Sequence, residues 1–297
     1  MVRPRARSVR VGVLVGALSL VAAGCAKTAK TATSPTSPTS HSPMESPMQS
    51  MMPSGGGEMM LQQGAENMKV AITAPADGTR VTDNLVTLTV TTSGYQDNCD
   101  TAGKANVAGQ GHYHISIDQP SNLVDMFCTA QATISMQNLN PGMHKLIAQP
   151  TQNDHTEVEH NANAITIDYE PTNPAAAITD ATFAGKPSIK ITNLTPGQTV
   201  SGAFDVDVQI ANYHVNCDLE AKPDVVGYGH WHLNADSMTG GMMRMGTMMR
   251  MGCSNVIHTS TVGWKTGETH TLIALLVDNN HAPLNPPIDD KVQVKVG

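Results

Sequence analysis

The hydrophobic positions of this chain recur at every second residue, in short runs closed by turn residues. Val86, Leu88 and Val90 alternate with threonines, and Phe204, Val206, Val208 and Ile210 alternate with polar side chains. Ile165 and Ile167, Ile189 and Ile191, and Val292, Val294 and Val296 carry the same period. A period of two sends alternate side chains to opposite faces, as in a half-buried strand. Asn140-Pro141-Gly142 and Thr195-Pro196-Gly197 are turn punctuation. No convincing helical period is present. The pattern predicts an all-β chain with about seven short strands per roughly 100 residues, arranged as β-sandwiches.

The first 67 residues depart from that pattern. Arg3, Arg5, Arg7 and Arg10 precede the apolar run from Val11 to Ala23, which ends at small residues and reads as an export signal. Val21-Ala22-Ala23-Gly24-Cys25 resembles a bacterial lipobox, although Ala22 stands where that motif more often has Leu. The resemblance implies a signal peptide over 1–25, a lipidated Cys25 and attachment to the extracytoplasmic face of the cell membrane. An ordinary signal peptide with an incidental cysteine is the alternative. Residues 26–67, rich in Ser, Thr, Pro, Gly and Met, have no apolar period and are expected to form a flexible, disordered tether. Without the four leader arginines the chain keeps 14 basic against 25 acidic side chains, a formal charge of −11. That balance argues against nucleic acid as a partner.

The remainder is a duplication that carries histidine with it. Gly109-Gln110-Gly111-His112-Tyr113-His114 returns as Gly227-Tyr228-Gly229-His230-Trp231-His232. His144 and His155 downstream match His270 and His281, so eight of the 12 histidines form two sets of four. The expected domains are 68–170 and 188–297, joined by a linker over 171–187. Each repeat also has one early and one late cysteine. Four cysteines allow three pairings. The duplication favours Cys99 with Cys128 and Cys217 with Cys253, in a disulfide-permissive compartment. Thiolate metal ligation is the competing chemistry, disfavoured because free thiols oxidise outside the cell.

Each repeat resembles a bacterial immunoglobulin-like domain carrying a Gly-His-x-His strand that ends in Asp, a later Gly-x-His-x-Leu-x-Ala strand, and an Asp/Asn-x-x-His turn. The matching residues are Gly111 to Asp118, Gly142 to Ala148 and His155, and then Gly229 to Asp236, Gly267 to Ala274 and His281. Gly267 stands one residue further from its histidine than the motif requires. The resemblance implies two tandem immunoglobulin-like sandwiches and leaves function open.

The candidate chemistry is metal binding. Residues two apart on a strand face the same way with Cα atoms about 6.6 Å apart, so His112 pairs with His114 and His230 with His232. Tyr113 shares a face with Ile115 and Ile117, which puts that face in the core and the histidines on the outer face. Two imidazoles at this spacing can chelate copper or zinc. The third ligand is open between His144 and His155, and between His270 and His281. His144 shares parity with Leu146 and Ala148, so a core role hydrogen-bonding backbone is its alternative. The second repeat adds a methionine tract, Met238, Met242, Met243, Met245, Met248, Met249 and Met251, read mostly as an eight-residue insertion between strands. Thioether sulfur suits Cu(I). An apolar patch for an envelope protein partner, or low-complexity drift, are its alternatives. No nucleophile elbow or phosphate loop is present, and the dense further histidines of copper–zinc superoxide dismutase are missing, so no enzyme is expected. The sequence therefore points to a surface lipoprotein that binds or buffers copper, with zinc second. A structural or interaction module of the cell envelope is the rival.

Overall fold

A computed structural model describes residues 61–238 and 246–297. The leader, Cys25, tether residues 26–60 and Met242, Met243 and Met245 lie outside the described residues. The first repeat contains β1 (Lys69–Ala74), β2 (Thr79–Val81), β3 (Leu85–Ser93), β4 (Gln96–Asp97), β5 (Gln110–Ile117), β6 (Leu123–Phe127), β7 (Gln131–Ser135), β8 (Gly142–Thr151) and β9 (Asn163–Tyr169). The second repeats this plan with β10 (Ser188–Ile191), β11 (Gln198–Val200), β12 (Ala203–Ala211), β13 (His214–Val215), β14 (Tyr228–Ala235), β15 (Met248–Gly252), β16 (Val256–Ser260), β17 (Thr269–Val277) and β18 (Asp289–Val296).

In the first repeat β1-β3-β7 form one sheet and β2-β9-β8-β5-β4 the other, with β6 also paired to β5. β10-β12-β16 and β11-β18-β17-β14-β13, with β15 on β14, reproduce this order. Short β2 and β11 run parallel to the last strand of their repeats, whereas the long neighbours are antiparallel. This is an immunoglobulin-like arrangement, and the chain is two such sandwiches in tandem. The alternating residues named above make the cores. Val86, Leu88 and Val90 pack with Tyr113, Ile115, Ile117, Ile165 and Ile167. Val206, Val208, Trp231, Leu233, Val292 and Val294 do the same in the second repeat. The fully buried Tyr113 and Trp231 of the central strands keep their polar ends satisfied, Tyr113 Oη donating to the Thr129 carbonyl (2.7 Å) and Trp231 Nε1 to that of Ser254 (2.7 Å).

Each repeat closes its own disulfide, Cys99 to Cys128 and Cys217 to Cys253. The thiolate-ligand reading is thereby excluded for these four residues. Packing begins before residue 68, because Ala65 and Met68 are buried against Val158. The segment between the repeats has no strand but is held at several points. Gln137 Nε2 donates to the Ala176 carbonyl, Asn138 Nδ2 to that of Ile178, and Ala181 N to that of Val226.

The two repeats do not stand apart. In β5 and β14 seven of eight residues are buried, leaving no alternation between wet and dry faces. The ends of β8 and β17 are continuously buried as well. The face opposite each core is covered by the other repeat. Lys104 carries this contact on one side, its Nζ donating to the Ser260 (2.7 Å) and Val262 (2.6 Å) carbonyls and lying 4.5 Å from the Trp264 ring centroid. Arg250 pairs with Asp100 (2.7 Å) and donates to the Cys99 carbonyl.

Candidate metal centres

The His-x-His strands are brought to their places by the glycines that precede them. A Cβ on Gly111 would lie 2.4 Å from the Thr151 carbonyl oxygen, and one on Gly229 2.1 Å from that of Val277. Only glycine lets the start of β5 or β14 approach the end of its neighbour this closely. That end leads at once into the turn bearing the third histidine. His155 (φ 62°) and His281 (φ 63°) both hold the left-handed conformation that aims their rings back over the strand.

Three imidazoles meet in each repeat. His112 Nε2 lies 3.1 Å from His114 Nε2 and 3.2 Å from His155 Nδ1, and the last two are 3.2 Å apart. The second triad matches it, with His230 Nε2 3.0 Å from His232 Nε2 and 2.9 Å from His281 Nδ1, and 3.2 Å between these two. A tetrahedral metal bonded to nitrogen at about 2.0–2.1 Å separates its ligand atoms by about 3.3–3.4 Å, so each triangle needs only a small expansion. All six rings are buried. This corrects the expectation of an outer-face pair: the histidines do leave the core side of their strand, but the other repeat packs over them.

The outer nitrogens decide what the inner ones offer. His155 Nε2 lies 2.6 Å from the Met248 carbonyl, and His281 Nε2 2.8 Å from that of Leu123. A carbonyl only accepts, so each Nε2 carries the hydrogen and each Nδ1 presents a lone pair to its triad. His114 Nδ1 faces Glu157 Oε1 at 2.8 Å, which in the neutral ring turns a second lone pair inward. His112 has one hydrogen to share and cannot bridge all three contacts. Its own Nδ1 is buried without a hydrogen-bond partner, as is that of His230. Three converging nitrogens with too few hydrogens between them are a group that could hold a metal ion. Burial, reinforced by the neighbouring imidazoles, pulls His112, His230 and His232 well below the ordinary histidine range. Burial brings His155 down to about 3 and His281 to about 4. These five rings are therefore neutral near pH 7, the form that ligates.

His144 and His270 are outside the triads. His144 Nδ1 faces the Asp118 carboxylate (3.0 Å) and its Nε2 the Asn140 carbonyl (2.9 Å), so both nitrogens are turned to other partners and neither points at the triad. His270 faces Asp236 (2.7 Å) and stacks on Trp264 at 4.1 Å between centroids. Asp118 and Asp236 also accept the backbone N–H of Lys145 and Thr271, so this histidine–aspartate pair fastens one strand of the motif to the other.

The methionine tract divides. Met248 and Met249 are strand residues of β15, Met249 in the second core and Met248 against Ala102 and Met126 of the first repeat, with Met251 packed beside it. Packing accounts for them, contrary to their reading as an inserted loop, and the insertion lies before β15. Two acids were not foreseen. Glu157 has no counterpart in the second repeat, where Pro283 holds the equivalent bridge position. Instead buried Glu220 places Oε1 3.9 Å from His230 Nδ1, and burial holds its carboxyl well above the usual range. Ala102 stands at the corresponding place in the first repeat. The sequence signal for Glu157 is its position two residues after His155; Glu220 has none.

No protein-family model matches the chain, and no curated protein does. Solved structures it is similar to include the fibronectin(III)-like modules of Clostridium thermocellum CbhA, at 12% identity over 76% of this chain and 93% of that one, with a TM-score of 0.23. A tetra-tandem repeat from the extending region of a large adhesion protein is 13% identical over 77% of this chain and 49% of that one (TM-score 0.21). The FN1-FN3 domains of chicken CNTN1 are 10% identical over 76% and 68% (TM-score 0.20). At these scores they add nothing to the topology described above.

Proposed function

We propose that this chain is a lipid-anchored protein of the extracytoplasmic membrane face that binds one transition-metal ion in each histidine triad and so holds or buffers metal at the cell surface. The observation that carries the reading is the convergence of three buried ring nitrogens, with the third ligand's lone pair fixed inward by a carbonyl on its far side. Three neutral imidazoles and no thiolate suit copper, which outcompetes zinc at nitrogen sites, with zinc the alternative. Three protein ligands leave a fourth position for water or an exchanging ligand, which fits a carrier as well as a store. A copper(I) role for thioethers rests on Met242, Met243 and Met245, with Met238, since Met248 and Met249 are committed to packing.

Protein purified without a histidine tag should bind two equivalents of Cu(II) or Zn(II). His112→Ala with His114→Ala should remove one, and His230→Ala with His232→Ala the other. If titration finds nothing tighter than about millimolar, a level incidental histidines reach, the metal reading fails. The histidines then serve only hydrogen bonding, in an envelope module.

The anchor is tested separately. Wild-type protein should partition with membranes, and Cys25→Ser should be released or left unprocessed. Residues 26–67 would then hold the two domains off the bilayer. Equal solubility of both forms would end the lipoprotein reading.

A further inference from the structure

Each triad is completed from the other side of the molecule. The third ligand of the first repeat is hydrogen-bonded to Met248 of the second, and that of the second to Leu123 of the first. Leu123 and Met248 occupy the same register in their repeats, opposite Ser116 and Asn234 on the His-x-His strands. The contact is thus reciprocal, and both bonds are buried. Resting on the metal reading above, we propose that metal binding and the docking of the two repeats are one linked equilibrium, in which the repeat–repeat face is closed by metal and each site needs that face closed.

The chemistry runs in both directions. A metal on Nδ1 withdraws electron density from the imidazole and makes its Nε2–H a stronger donor to the carbonyl across the interface. Conversely, that carbonyl fixes the ring's tautomer and aim before the metal arrives, as outer partners of histidine ligands do. Linkage is reciprocal, so whatever loosens the face weakens both sites, and whatever fills a site tightens the face. Direct repulsion between two bound cations opposes this, since the charges of His155 and His232 sense each other across the face. Within each repeat the cation is spread over three imidazoles, and the first repeat adds Glu157 at His114.

Gly103 gives a wedge at the acceptor itself. A Cβ there would lie 2.4 Å from the Met248 carbonyl oxygen, and the residue is held at φ +71°, so Gly103→Ala must push the acceptor of His155 away. Lys104→Met removes the bonds to Ser260 and Val262 without touching a triad. In chelator-competition titrations of the full chain with Zn(II), both variants should lose about tenfold or more in affinity, the scale of outer-partner losses. Gly103→Ala should affect the first site more, and Lys104→Met both. The second measurement uses hydrogen exchange on the chain carrying His230→Ala and His232→Ala, in which only the first triad loads. Zn(II) should slow amide exchange along Met248–Gly252, a strand of the repeat that binds no metal. Wild-type affinity in both wedge variants, or no protection of Met248–Gly252 where the first triad is filled, overturns the linkage. Should the wedge variants not fold, the exchange experiment alone decides. Failure of the metal reading looks different, because the wild-type chain would then bind no Zn(II) at all.

Discussion

His155→Ala should lower metal affinity at the first site by about 100-fold or more, while His144→Ala should leave it unchanged. Removal of an outer partner alone typically costs 10- to 100-fold, and loss of one of three direct ligands costs at least that. The same contrast should hold between His281→Ala and His270→Ala at the second site. His144→Ala has a different cost. It frees Asp118 and the Asn140 carbonyl, partly exposed groups whose bonds contribute of order 1 kcal/mol, so it should appear as a small loss of stability with full metal stoichiometry. Calorimetric titration of the four variants separates these outcomes. Were His144→Ala to abolish a site and His155→Ala to spare it, the triads described here would not be the metal centres. Because His155 also donates to Met248, its replacement should lower stability more than that of His144, a second way to tell the two apart.

The sequence could not choose between those histidines because the choice is made by a turn. His144 lies on the core-facing parity of β8, as Leu146 and Ala148 suggest, but near the strand's start, where Asp118 and Asn140 reach it. His155 belongs to no strand, and its left-handed backbone, rather than any periodicity, points the ring at His112 and His114. The strands themselves were legible: Val86 to Val90 and Phe204 to Ile210 alternate as a half-buried sheet requires, and duplication located the cysteine pairs. What alternation could not supply is the second contact layer. A face with His112, His114 and Ser116 reads as polar and therefore wet, yet it is dry because a like face packs on it. One signal of this was present. Leu272-Ile273-Ala274-Leu275-Leu276-Val277 is an unbroken apolar run, and such a run marks a strand buried on both faces. Applied to β17, that rule places the second repeat's histidine strand, its direct neighbour, in the interior too.

Met248 and Met249 show the opposite case, strand positions for which packing suffices. Met248 stands where the first repeat has Leu123, and Met249 where it has Val124, so both are ordinary strand positions filled by an unbranched apolar side chain. The insertion that displaced them by several residues from the expected spacing hid this equivalence. Arg250, within the tract, pairs with Asp100, donates to the Cys99 carbonyl and helps hold the repeats together.

Acid should dismantle the apoprotein through these same histidines, and this gives the last prediction. In the folded state His155 titrates at about 3 and His281 at about 4, against about 6.5 when unfolded. Between about pH 6.5 and pH 4 the unfolded chain therefore binds more protons than the native one, and stability falls as pH falls. Each such histidine costs roughly 1.4 kcal/mol per pH unit, so these two alone cost about 3 kcal/mol per unit. His112, His230 and His232 shift in the same direction. Denaturant midpoints of the metal-free protein should be highest near pH 7 and drop steeply between pH 6 and pH 4.5. Metal binding at the second site, whose three histidines burial holds below the ordinary range, follows the folded-state values instead. It should persist at pH 5, where a solvated histidine pair has already been protonated, and collapse with the fold as pH approaches 4. A binding curve that fades near pH 6.5 while stability stays flat would mean solvated imidazoles, and would falsify the burial of the triads between the two repeats.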